Sequence, residues 1–129
     1  MEAKALLLVA LGGAIGACLR YGIGVWLTSD SFPWATLSVN LVGSLLLGTI
    51  SCAAVANGVL SEEVTLFVGI GLLGAFTTLS TYSVDAIKMY QAEAYSQLAS
   101  YVFATSIGGP VLALIGWKLT QTILDNKAL

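Results

Sequence analysis

The stretch GAFTTLSTYSVD, residues 74–85, decides how this chain is to be read. Thr77, Thr78, Ser80, Thr81, Tyr82 and Ser83 place six hydroxyls within seven residues of an otherwise apolar segment. Two arrangements can satisfy hydroxyls in such a setting. They can donate to the carbonyls of their own helix, giving a kinked packing helix with hydroxyls as glue between neighbours. Alternatively, the helix is interrupted, and its freed backbone groups line a watery cavity or are buried in protein, the only places where irregular backbone is tolerated at membrane depth. Six hydroxyls in seven residues cannot all face one neighbour, so the spacing predicts an interrupted helix that forms a site.

The surroundings of that stretch are membrane-like. Hydrophobic residues make up 57% of the 129 positions and charged residues only 9%, far too little charge to cover a water-soluble domain. The chain is read as one all-α integral membrane domain over residues 1–129, a four-span helical bundle with spans at 4–27, 34–57, 64–90 and 96–124. The first span, as a helix, reaches about 36 Å against a hydrocarbon core of about 30 Å. A cleaved leader does not account for it, because three further spans follow. Ser31 is expected to cap a second helix with Pro33 in its first turn, and Ser61 precedes Glu62 and Glu63, acids well placed for a helix N-terminus. Trp26, Trp34 and Trp117 lie near span ends, where indole rings favour the interface. Gly12 and Gly16 suit close helix approach, and Gly108-Gly109-Pro110 is expected to bend or break the fourth span. A unit this small predicts that any large site is shared between copies.

Orientation follows from the basic residues. With both termini on one side, Lys4, Lys118 and Lys127 share that side, and Arg20 and Lys88 lie toward the other. So small a bias is expected either from a chain that inserts both ways and pairs with an inverted copy, or simply from a low number of charges.

Polar groups inside the spans narrow the chemistry. Span two carries Thr36, Ser38, Asn40 and Ser44; span four carries Tyr101 and, one turn on, Thr105. Asn40 either holds helices together or donates its amide hydrogens to an anion. The sequence has no histidine, and no carboxylate lies centrally in a span, Asp85 being the nearest. That composition argues against a proton relay. Cys18 and Cys52 have no histidine partners and read as small hydrophobes rather than metal ligands. A donor-rich, acid-poor lining fits a small anion, and aromatic ring edges carry positive quadrupole charge that can face one. Arg20 either draws anions to a vestibule or snorkels to the interface. No catalytic group, hence no enzyme, and no nucleic-acid partner are expected.

GGAIGACLRY at 12–21, TLSVNLVG at 36–43 and GAFTTLSTYS at 74–83, in this order within four spans, resemble the Fluc fluoride channel family, also called CrcB. The resemblance covers essentially the whole chain. It implies a dual-topology, antiparallel homodimer in the plasma membrane, with two fluoride pathways, a structural sodium ion at the dimer axis, and passive fluoride export that confers fluoride resistance. Carried over by motif, Asn40 would line the pathway, and Gly74 and Thr77 would lend backbone carbonyls to the sodium. Tyr101 and Thr105 would begin a polar track on span four, bordered by the acidic Asp85. The family's paired pore phenylalanines fall in the run that here contains Leu79, Tyr82 and Ser83, with Leu79 and Tyr82 in place of the rings. Phe76 is out of register with them, and Gly109 and Ala113 stand where hydroxyl residues are common. Some relatives pair two different subunits, so a heterodimer is a second arrangement. Two other functions compete. A small dual-topology multidrug transporter would need a carboxylate in span one, which has none between Lys4 and Trp26. A structural membrane subunit, including one half of a heterodimeric channel, would use its hydroxyls only as glue.

Overall fold

The computed structural model describes residues 2–56 and 58–127. Four membrane-length helical stretches account for nearly all of them, and no strand occurs among the described residues. Helix α1 spans Ala3–Trp26 and α2 spans Trp34–Val55. The third crossing is composite. It opens with α3 (Glu62–Val64), widens into a π-helical segment (Thr65–Leu73), narrows again in α4 (Gly74–Phe76), breaks at Thr77 and Thr78, and resumes as α5 (Leu79–Gln91). Helix α6, Tyr95–Lys127, is the longest. At 33 residues it reaches about 50 Å, beyond the hydrocarbon thickness.

Local chemistry accounts for most of the ends. Ser61 caps α3, its Oγ accepting from the Val64 N–H at 3.3 Å, with Glu62 and Glu63 in the first turn as the sequence predicts. Lys4 at the start of α1 donates to Glu63 Oε1 at 2.9 Å, joining the two helix starts on one side; both side chains are exposed, so the pair adds little stability. Ser31 does not cap α2. Its backbone N–H turns to Ser29 Oγ, and Pro33 occupies the position before Trp34 without a side-chain cap. Nor does Gly108-Gly109-Pro110 break the fourth span, because α6 continues through Pro110. There α6 is seated on α2: a Cβ at Gly108 would lie 3.0 Å from Leu41 Cδ2, and one at Gly116 would overlap the Leu45 carbonyl oxygen. Packing of this kind outweighs the one backbone donor that proline removes.

Glycine sets the other principal contact too. A Cβ at Gly12 would overlap the Phe67 carbonyl oxygen, and one at Gly16 the Leu72 carbonyl oxygen. The GxxxG pair of α1 therefore receives the backbone of the π-helical segment directly. A π-helical stretch is uncommon and concentrates at functional sites; here it delivers the chain to the break.

The bundle buries few large side chains completely, chiefly Val39 and Tyr101. Leu7, Leu19, Trp26, Phe103, Leu114 and Leu119 all face outward, as expected where hydrocarbon, not water, surrounds the helices. Cys52 is buried and Cys18 faces outward from α1.

Candidate functional site

The break in span three explains where the six hydroxyls go. Thr77 and Thr78 adopt extended backbone, which ends the helical ladder. The Thr77 hydroxyl donates back to the Leu73 carbonyl at 3.1 Å. Thr78 Oγ1 accepts from the Thr81 N–H at 3.2 Å and so caps α5, while Ser80 and Thr81 hydroxyls lie 3.2 and 3.0 Å from it. Ser83 stands one turn into α5, exposed, with its hydroxyl donating to the Leu79 carbonyl at 2.9 Å. Most of these hydroxyls therefore stitch the interruption together. Glue and break, posed as alternatives by the sequence, operate together.

Asn40, from the second turn of α2, clamps the break from outside. Its Oδ1 accepts the Thr78 N–H at 2.7 Å and its Nδ2 donates to the Thr78 carbonyl at 3.0 Å. The two bonds fix the orientation of the amide, since a flipped amide would oppose donor to donor and acceptor to acceptor. One Nδ2 hydrogen remains for another acceptor.

Beside this clamp lies a cavity of about 410 Å³ lined by Asn40, Ser44, Thr77, Thr78, Leu79 and Tyr82 on one side and Thr105, Gly109, Pro110 and Ala113 of α6 on the other. No charged side chain lines it. Thr105 Oγ1 is buried and has no hydrogen-bond partner among the described residues, a state that costs ~1–3 kcal/mol unless an occupant accepts the bond. The cavity thus offers an amide hydrogen and a buried hydroxyl with no anionic group to compete for them.

Tyr101 does not share that cavity. Fully buried, it stacks obliquely on Tyr82 at 5.1 Å between centroids and meets Phe32 edge-on at 5.6 Å. Its hydroxyl donates to Asp85 Oδ2 at 3.3 Å, and Thr36 Oγ1 donates to the same oxygen at 2.8 Å. Asp85 in turn borders a separate cavity of about 450 Å³ with Asp30, Lys88 and Gln97. Tyr82 therefore links the two regions, its side chain lining the first cavity and packing on the tyrosine that holds Asp85.

Arg20 lies on the other side of the break. Its Nε donates to the Ala75 carbonyl at 3.1 Å, placing a cation at the carbonyl end of the first half-helix, where the helix dipole favours one. It lines a cavity of about 400 Å³ together with Thr28, Thr36, Thr78 and Thr81. Thr78 borders both this cavity and the one beside Asn40. Sequence reading gave Thr78 no role of its own, because its partner lies 38 residues away. Thr36, Asn40 and Ser44, four residues apart, do share a face of α2, and that spacing was the available signal.

The break also frees backbone oxygens. In a continued helix the Thr78 N–H would donate to the Gly74 carbonyl; Asn40 takes that N–H instead. Neither the Gly74 nor the Thr77 carbonyl receives a backbone donor among the described residues. No group of three or more His, Cys, Asp or Glu side chains converges among them, so a cation here would be held by carbonyls.

Fold and site together define a class: a four-span helical membrane protein whose third span is broken beside a cavity lined by uncharged hydrogen-bond donors. Residues 7–117 match the family model described as CrcB-like protein, camphor resistance (CrcB), and the chain belongs to that family. It is a multi-pass protein of the plasma membrane. The chain is similar to a "Fluoride-specific ion channel FluC" of Thermus thermophilus, 40% identical over 122 residues that cover 92% of this chain and 95% of that one. It is also similar to the FluC of Oceanobacillus iheyensis, 43% identical over 115 residues covering 88% and 89%. The "Fluoride-specific ion channel FluC 2" of Listeria monocytogenes is 38% identical over 120 residues covering 93% of each chain.

Proposed function

We propose that this protein is a fluoride channel, passing the ion down its gradient and thereby conferring fluoride resistance, and that it is not an enzyme. The observation that carries the reading is the donor-lined, uncharged cavity in which Thr105 Oγ1 is buried without a partner beside the free Nδ2 hydrogen of Asn40. Fluoride is small and strongly hydrated, so a site must replace its water with well-placed donors. Asn40 and Thr105 supply donors, and no charged side chain in the cavity competes for them. Tyr82 adds a ring and a hydroxyl at the same wall, while Leu79, 75% exposed, adds neither. Tyr101, Thr36 and Asp85 form the polar end of the route, with Arg20 held to the Ala75 carbonyl on the other side of the break.

The functional unit in this reading is an antiparallel dimer of oppositely inserted copies, supported by the near-balanced basic residues. A sodium ion fits the free Gly74 and Thr77 carbonyls, since a hard cation takes oxygen ligands and half-helix ends supply them. When bound it would hold the two break segments in place across the dimer axis. Purification and assay with N-methylglucamine in place of sodium should lower fluoride flux, and adding sodium back should restore it; flux indifferent to sodium would remove the ion from the account. A heterodimer in which another subunit supplies ring edges at the position of Leu79 is the second arrangement, favoured by the missing ring there.

The wall is tested through Tyr82. In liposomes, Tyr82→Ile should lower fluoride flux roughly tenfold, the order of one lost aromatic or hydrogen-bond contact to the ion. Tyr82→Phe should be tolerated and Leu79→Phe should preserve or raise flux. Equal flux in Tyr82→Ile and the parent would show that the route does not run past Tyr82.

A further inference from the structure

We infer that Ser44 is a fluoride-contacting residue, and that in this chain the hydroxyl row of the route passes from α6 to α2 beyond Thr105. The inference rests on the channel reading above and adds a residue to it.

The α6 wall of the cavity begins with Thr105 and continues with Gly109, Pro110 and Ala113, which carry no hydroxyl. Directly opposite, Ser44 of α2 reaches across. A Cβ placed on Gly109 would lie 3.5 Å from Ser44 Oγ and meet nothing nearer. The Ser44 hydroxyl thus stands beside the space that a side chain at 109 would fill.

That hydroxyl is free to serve. Thr49, Thr77, Ser83, Ser100 and Thr120 each donate to the carbonyl four residues back, the usual way for a helical hydroxyl to satisfy itself. Ser44 makes no hydrogen bond among the described residues. Its position is also a junction, because Ser44 and Ala113 line both the cavity beside Asn40 and a second one of about 400 Å³ that contains Ser51. On α2, Asn40, Ser44 and Ser51 are four and seven residues apart, which keeps all three on one face of the helix. An ion leaving Asn40 and Thr105 therefore meets its next uncharged donor on α2.

The test measures fluoride efflux from liposomes for the parent, Ser44→Ala, Gly109→Ser and the double variant, with dimer assembly checked by gel filtration. Ser44→Ala should lower flux roughly ten- to a hundredfold, the loss of one hydrogen bond to an anion. Gly109→Ser, which places a hydroxyl in the same space from the opposite helix, should return most of that flux in the double variant. A merely structural Ser44 would not be rescued from across the cavity. Unchanged flux in Ser44→Ala, or a loss that Gly109→Ser fails to restore, overturns the inference while leaving a conducting parent. A parent that passes no fluoride overturns the channel reading and this inference with it.

Discussion

Asn40→Asp is expected to abolish fluoride flux in protein that still inserts and assembles. The substitution keeps the shape of the side chain and the acceptor for the Thr78 N–H at 2.7 Å. It removes the donor that meets the Thr78 carbonyl and the second amide hydrogen of a side chain that lines the cavity, and it installs a negative charge where, in this reading, an anion must pass. Two unit charges about 4 Å apart repel by about 4 kcal/mol at an effective dielectric of about 20, roughly a thousandfold in occupancy. Asn40→Ala would remove the charge effect and leave Thr78 without its clamp, so its loss should be smaller in flux and larger in stability. Flux from the aspartate variant within a few fold of the parent would take Asn40 out of the route.

The second large effect concerns orientation. Three lysines appended after α6 should fix the termini on the cytoplasmic side, because basic residues near span ends are retained there. Ser29→Lys with Ser31→Lys, in the connection between α1 and α2, should fix the opposite orientation. Under the antiparallel reading, either locked form alone lacks its inverted partner and should fall by on the order of tenfold or more in flux, whereas the two expressed together should recover. Full activity from one locked form would show that parallel copies, or a single copy, suffice.

Much of this architecture is written in composition and spacing. Four apolar runs sufficed for four spans, and the crowding of hydroxyls at 77–83 was enough to expect the break now seen at Thr77 and Thr78. The π-helical turn at Thr65–Leu73 was not legible. Residue types in α- and π-helices are alike, and here the widened turn lies against the bare backbone of Gly12 and Gly16 on another helix. For the same reason Asn40 was legible as a polar residue in a span, but its clamp on Thr78 was not, since a contact between distant segments leaves no local pattern. Of the bend or break expected at Pro110, the break does not occur: the packing of α6 on α2 at Gly108 and Gly116 carries the helix through.

The most direct measurement is fluoride release from liposomes that contain the purified protein, recorded with a fluoride electrode and with no proton gradient across the membrane. The account predicts rapid fluoride efflux once charge is balanced by a potassium ionophore, with chloride-loaded vesicles releasing little. No efflux above protein-free vesicles, or transport that occurs only when a proton gradient drives exchange of a cationic drug, would contradict it.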